Sequence, residues 1–144
     1  MNLLRLSQMA DNKKWRNMAE KSIRAFERRL VQSPHGMPQM MVAVNFHLDK
    51  PKQILIAGER DSNDTRAVLR EVHQRFIPNK IVVLTDGGKA QQRLAASLDI
   101  LNSIRPIGGK ATAYICEDYV CQLPTNEIAV VARLLEGEPV QPGP

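Results

Sequence analysis

The sequence predicts an α/β fold, in which N-terminal helices pack on a small, mostly parallel three-stranded sheet with crossover helices. Three short apolar runs, at residues 53–57, 81–84 and 112–115, have the length and composition of buried strands. Helical patterns separate these runs, and strands that alternate with helices favour parallel pairing through right-handed crossovers. The predicted parts are a helical segment at 1–50, a small α/β segment at 51–137 and a disordered tail at 138–144.

Helical spacing dominates the chain before Pro51. Residues 2–10 form one predicted helix, and Asp11 or Asn12 can cap a second helix that continues to about residue 31. Residues 33–36 break this helix, and a third helix follows Pro38, although the apolar run at 41–44 leaves a strand as the alternative. The predicted inner faces of the first two helices comprise Leu3, Leu4, Leu6, Met9, Trp15, Met18, Ala19, Ser22, Ile23, Phe26 and Leu30.

Each predicted strand of the second part leads towards a helix. Asp61, Ser62 or Asp64 can cap a helix at about 64–76, whose inner face would include Phe76. An Asp-Gly-Gly turn at 86–88 precedes a helix that reaches residue 98, and residues 99–110 are a predicted loop. Thr125 can cap the last helix, which would end at Gly137.

Composition limits the classes of function. The chain has 144 residues, enough for one ordinary domain with a buried core. Aromatic residues are only 4% of the sequence, which is poor for a surface that stacks nucleic-acid bases. No apolar run approaches the ~18 residues of a membrane helix, and no secretory signal is visible, so a cytoplasmic location without membrane partners is expected.

The positive charge is concentrated in one segment. Residues 1–32 contain eight Lys or Arg and three Asp or Glu, which accounts for the whole formal net charge of +5. Lys14, Lys21, Arg24 and Arg28 lie opposite the apolar arc of the second helix. A solvated helix face is favoured over phosphate contacts, because no nucleic-acid motif or interleaved aromatic accompanies these residues.

A ligand edge is predicted where the strands end. In an open parallel sheet, ligands bind beyond the carboxyl ends of the strands, and here those ends precede Glu59, Asp61, Asp86, Lys89 and the cysteine pair. The carboxylates could act as acid and base, although helix caps are the commoner role. No G-x-G-x-x-G fingerprint or complete phosphate loop is present, so no cofactor is expected.

Cys116 and Cys121 allow three interpretations. Separate structural roles rank first, with Cys116 as a small buried residue at a strand end and Cys121 as a loop thiol, a redox pair ranks second and a metal site last. A metal site would need further ligands, and His35, His47 and His73 are scattered along the chain, so no metal is predicted. Two cysteines are too few for a disulfide scaffold, and both would rest as thiols in a reducing compartment.

Five segments together resemble a known family. They are NLLRL at 2–6, WRNMAEKSIRAF at 15–26, Pro38-Gln39 with its apolar helix, KQILIAGE at 52–59 and ATAYICEDYVCQLPT at 111–125. The chain resembles the C-terminal end of thioredoxin-domain proteins related to the spermatogenesis-associated thioredoxin-like protein. The resemblance covers nearly all of residues 2–135, and the cysteine-containing tail is its most specific part.

The resemblance implies a longer protein. Such proteins have a thioredoxin-like domain, then a six-hairpin (α/α)₆ barrel similar to glycosidases and sugar epimerases, and a closing α/β segment. Residues 1–48 would then be the last barrel helices, as the uncapped start at Met1 also suggests. The family's redox motif has no counterpart here, so no catalytic residue is carried over.

Two functions follow as hypotheses. The first is a non-catalytic structural module of such a protein, whose partners would be upstream domains or a second copy of the chain. The second is a small thiol, redox or ligand-binding module that uses Cys116 and Cys121 at the carboxyl edge of the sheet. Phosphate binding by the basic helix ranks below both.

Overall fold

The computed structural model of the protein describes residues 1–118 and 120–138. The chain divides into two compact units, one at Met1–Pro51 and one from Lys52 onward. The first unit is helical and the second is α/β. The predicted tail at 138–144 lies outside the described residues, except for Glu138.

The helical unit comprises α1 (Asn2–Met9), α2 (Lys13–Ala25), α3 (Glu27–Gln32), a 3₁₀ turn (Pro34–Gly36) and α4 (Pro38–Leu48). The side chain of Asn12 caps α2 by accepting a hydrogen bond from the N–H of Trp15. The buried apolar residues of the helical unit are Leu4, Ala19, Ala43 and Phe46. Because α4 begins at Pro38, this segment is a helix and the alternative of a strand was wrong.

The predicted second helix is interrupted at Phe26. The N–H of Phe26 donates to the carbonyl of Ile23, three residues back, so the helix tightens and ends there. A short second helix, α3, then begins at Glu27. The prediction of one continuous helix to residue 31 was therefore wrong, because two helices occupy this segment.

The α/β unit comprises β1 (Lys52–Ala57), α5 (Asn63–His73), β2 (Lys80–Thr85), α6 (Lys89–Ala95), a 3₁₀ turn (Asp99–Asn102), β3 (Thr112–Glu117), β4 (Val120–Cys121) and α7 (Ile128–Glu136). The strands lie in the order β2-β1-β3-β4. β1 and β2 are parallel, whereas β3 is antiparallel to both β1 and β4. The α/β class is confirmed, but a three-stranded, mostly parallel sheet was the wrong prediction.

The direction of β3 is set by the edge at which the chain enters it. The connection of residues 86–111 brings the chain to the edge where β1 and β2 end, so the pairing of β3 with β1 is antiparallel. Ala111, the residue before β3, donates its N–H to the carboxylate of Asp64 at the start of α5, which holds the entry of the strand at this edge.

Helices α5 and α7 pack together and cover one face of the sheet. The core of this face contains Ile54, Ile56, Val68, Val72, Ala111, Ala113, Ile115, Val131, Leu134 and Leu135. β1 lies between β2 and β3, and its residues from Gln53 to Ala57 are all buried. This central position explains why β1 reads as a continuous apolar run.

Three helix boundaries differ from the prediction. α6 ends at Ala95 instead of reaching residue 98. α5 ends at His73, and Phe76 is 93% exposed instead of lying on an inner face. Thr125 does not cap α7, because its backbone bridges to Ala113 at the sheet edge and the helix begins at Ile128. Gly137 ends α7 in the left-handed conformation, as predicted.

Candidate functional sites at the two ends of the sheet

A cavity of about 380 Å³ lies beyond the carboxyl ends of β1 and β2. Ala57 and Thr85, the last residues of these strands, are register partners, so the loops that follow begin side by side. The volume falls within the range of small-molecule pockets. Its lining comprises Gly58, Glu59, Thr85, Asp86, Gly87, Gln91, Gln92, Ala95, Leu101, Asn102, Ile104, Arg105 and Pro106.

Asp86 is held in place at this cavity. Its Oδ1 accepts a hydrogen bond from the N–H of Gly88 at 2.9 Å, and its Oδ2 lies 3.3 Å from Nη2 of Arg60. The Gly88 hydrogen bond, followed by that of Arg60, lowers the pKa of Asp86 against the opposing effect of its partial burial. Asp86 is therefore an anion at neutral pH.

Glu59 also lines the cavity and is exposed to solvent. Its backbone carbonyl accepts a hydrogen bond from the N–H of Ser62, which forms the turn into α5. Within the described residues its carboxylate has no hydrogen bond or ion pair. It can therefore contact a ligand without breaking an existing interaction.

The other two residues of the predicted edge lie apart from this cavity. Asp61 is 84% exposed in its side chain and pairs with Arg66 at 3.0 Å. Lys89 begins α6 and is not among the described residues that line the cavity. The structure thus brings Glu59 and Asp86 to one cavity and leaves Asp61 and Lys89 outside. A ligand-binding role for the four residues stays a prediction.

The far wall of the cavity, formed by Gln91 and residues 101–106, was not predicted from the sequence. The Gln91 side chain accepts a hydrogen bond from Gly87 N–H at 2.8 Å and donates one to the carbonyl of Leu101 at 3.2 Å. It therefore joins the loop after β2 to the 3₁₀ turn. Residues 101–106 were a predicted loop, and their apolar positions have no helix or strand period that would indicate a cavity wall.

The cysteine pair lies at the opposite end of the sheet. Cys116 on β3 is the register partner of Gln53, near the start of β1, whereas the cavity lies beyond the end of β1. The prediction that the cysteines share the carboxyl edge with Glu59 and Asp86 was wrong. The prediction failed because β3 is antiparallel to β1, so the end of β3 lies at the opposite edge of the sheet.

Cys116 and Cys121 form a disulfide across β3 and β4. The N–H of Gln122 donates to the carbonyl of Ile115, so the next pair along the ladder, Cys116 and Cys121, is a non-hydrogen-bonded pair. Side chains approach closely at such positions, and the two Cα atoms are 3.9 Å apart. The expectation of two resting thiols, with Cys121 in a loop, was therefore wrong.

The sequence pattern did not predict the hairpin that joins the two cysteines. Asp118 turns the chain with a left-handed φ of 46°, a conformation that Asp tolerates better than most residues. β4 has only two residues. Strands this short have no readable alternation, so the fourth strand was missed.

Among the described residues, no cluster of three or more His, Cys, Asp or Glu could hold a metal ion. His35 lies in the 3₁₀ turn, His47 in the last turn of α4 and His73 at the end of α5. In the part of the chain that the structure describes, no helix has both the length and the apolar character needed to cross a membrane.

These observations define a two-part module, with a helical unit followed by a mixed α/β unit that carries a disulfide hairpin. The module is homologous to part of spermatogenesis-associated protein 20. The human protein of that name is 34% identical over 134 residues, which are 93% of this chain and 17% of the human protein. The rat protein of the same name gives the same identity and coverage. The predicted resemblance is confirmed.

An uncharacterised protein of Caenorhabditis elegans is 26% identical over 92% of the chain and 18% of its own length. The chain thus spans less than a fifth of the curated relatives that it matches. No family model and no solved structure matches the chain.

Proposed function

We propose that this chain acts as a non-catalytic structural module of a longer protein, in which a thioredoxin-like domain and an (α/α)₆ barrel accompany it. The alignment supports this proposal, because the chain matches only 17% of the human relative. Upstream helices of such a barrel would be its partners. Nucleic acid is not among the proposed partners.

The observation that carries the proposal is an apolar groove on the helical unit. It has a volume of about 580 Å³ and is lined by Ile23, Arg24, Glu27, Leu30, Val31, Met41 and Val44. Val31 is 79% exposed and Met41, on α4, is 39% exposed. Apolar groups gathered on one surface mark interaction sites, and neighbouring barrel helices would cover these.

Sedimentation equilibrium tests this proposal on the chain as it stands. We expect concentration-dependent self-association, which the double variant Val31→Lys/Met41→Lys should weaken because charge opposes burial of the groove. Phe76→Lys is the matched control, since Phe76 is 93% exposed in the other unit. A wild-type chain that stays monomeric and unfolds cooperatively would contradict the proposal.

A second function is favoured by the disulfide. We propose that the Cys116–Cys121 pair exchanges with other thiols. The sequence predicts a cytoplasmic location, and disulfides in that compartment are mostly transient, catalytic or redox-sensing. Equilibration of the native protein in glutathione buffers of increasing reducing power tests this role. Reduction while the protein remains folded is expected, whereas reduction only on unfolding would make the bond purely structural.

A further inference from the structure

The two cysteines of the disulfide differ in their exposure to solvent. Cys116 on β3 is 1% exposed, whereas Cys121 on β4 is exposed. β4 is the last strand in the sheet order, so its outer edge has no neighbouring strand among the described residues. A thiolate from solvent can therefore approach Cys121 more readily than Cys116.

We propose that Cys121 is the exchange sulfur of this protein and that Cys116 is the buried resolving sulfur. This assignment rests on the second proposed function, exchange of the pair with other thiols. The substrate class is a thiol or a disulfide on another molecule. Attack at Cys116 would require the structure around it to open first, because Cys116 has almost no exposed surface.

In the reducing direction, an external thiolate attacks Cys121 Sγ, the bond to Cys116 breaks and a mixed disulfide forms at Cys121. The Cys116 sulfur leaves as a thiolate, takes a proton from water and becomes a thiol. A second external thiol then resolves the mixed disulfide. Two external thiols become one disulfide, and the protein gains two electrons and two protons.

The fold around the pair allows this cycle without unfolding. The Ile115 carbonyl keeps its hydrogen bond from Gln122, and Ala113 and Thr125 exchange two backbone hydrogen bonds of 2.8 and 3.1 Å. These bonds hold the chain after Cys121, and the register pair of Glu117 and Val120 holds it just before, when the S–S bond is broken. The buried Cys116 thiol therefore remains opposite Cys121 and can attack a mixed disulfide formed there.

Two single-cysteine variants of the full chain test the assignment. Cys116→Ser leaves only Cys121, and Cys121→Ser leaves only Cys116. Each is mixed with oxidised glutathione, and the mixed disulfide is followed by intact-protein mass spectrometry. We expect Cys121 to react at least about tenfold faster than Cys116 in native buffer, because only Cys121 is accessible. Similar rates for both in guanidinium chloride are the matched control.

Equal native rates, or a faster reaction at Cys116, would overturn the assignment. The wild-type protein provides a second measurement that does not depend on the variants folding. Partial reduction by glutathione, acid quenching and peptide mapping should locate the mixed disulfide at Cys121. Glutathione found on Cys116 would refute the assignment alone, whereas no exchange in the native state would also remove the second proposed function.

Discussion

The carboxylate of Asp64 accepts a hydrogen bond of 2.6 Å from the backbone N–H of Ala111, 47 residues later in the chain. Asp64 lies in the first turn of α5, and Ala111 is the residue before β3. The other carboxylate oxygen accepts from the N–H of Thr65 at 2.9 Å. One side chain thus ties the start of a helix to the entry of the antiparallel strand.

The pH dependence of stability should report this contact. Hydrogen bonds from the Ser62 side chain and then the Ala111 and Thr65 N–H groups lower the pKa of Asp64 from 3.8 to about 2. Because the folded pKa lies below the unfolded one, this stabilisation is complete above about pH 4 and is lost as the pH falls towards 2. Urea unfolding at several pH values should show this loss in the wild type.

Asp64→Asn is the matched variant, since it keeps an acceptor oxygen for Ala111 but has no charge to titrate. Its stability should fall less between pH 4 and pH 2 than that of the wild type. Asp64→Ala should be less stable than Asp64→Asn at neutral pH, because the Ala111 N–H, in a residue only 3% exposed, loses its partner. The same pH slope in all three proteins would contradict the role of Asp64.

Gly58 lies where α5 and β3 approach the end of β1 most closely. A Cβ atom at this position would be 2.3 Å from Oγ1 of Thr65 and 3.1 Å from Cβ of Ala111. Because Thr65 is fully buried, the helix must shift, and Gly58→Ala should lower the free energy of unfolding by about 1–3 kcal/mol. Denaturant titration measures this, with Gly36→Ala as the control.

At Gly36 an added Cβ meets only Ser33 Oγ, at 3.4 Å, an ordinary contact. The control variant should therefore change stability by less than about 1 kcal/mol. Adding Thr65→Ala to Gly58→Ala should cost less than the sum of the two single changes, because the closest clash is removed. Additive effects would show that the close approach to Thr65 is not the cause.

Reduction of the disulfide should weaken the α/β unit only modestly. The bond joins cysteines five positions apart, so the loop it closes is short. In the chain-entropy description, such a loop contributes about 2 kcal/mol to the free energy of unfolding. Urea unfolding with and without reductant measures the difference, and a Cys116→Ser variant should show none. A loss of more than about 4 kcal/mol would contradict this loop-length account.

Ile54 lies at the centre of the core of the α/β unit and has no exposed surface. Ile54→Ala removes three buried carbons and leaves a cavity between β1, α5 and α7, so a loss of about 2–5 kcal/mol is expected. Val120→Ala is the control, because Val120 is 70% exposed, and its effect should stay within about 0.5 kcal/mol. Comparable losses in both variants would contradict the placement of this core.

Part of the candidate site was predictable from the residues alone. Glu59 and Asp86 follow two buried strands, and strands joined by an eleven-residue helix pair in parallel, so their loops meet at one edge. Gln91 and Arg105 were not predictable as cavity residues. They reach the cavity only because the connection after β2 folds back over the same edge, and residues 99–110 have no periodic signal for that path.

The sequence by itself determined the features that depend on neighbouring residues. The three apolar runs became β1, β2 and β3, Asn12 and Ser62 became helix caps, and Gly137 ended α7. These signals are local, since a cap acts within three residues and a buried strand needs only a short apolar run. They hold wherever the segment lies in the fold.

The tertiary structure alone decided the direction of β3, the existence of β4 and the edge at which the cysteines lie. Each depends on where the chain returns to the sheet after a long connection, and that path is selected by distant contacts such as Asp64 with Ala111. The antiparallel entry places Cys116 and Cys121 together at the end of the sheet away from Glu59 and Asp86. Distant contacts of this kind have no sequence period, which is why the pattern of residues predicted the strands but not their arrangement.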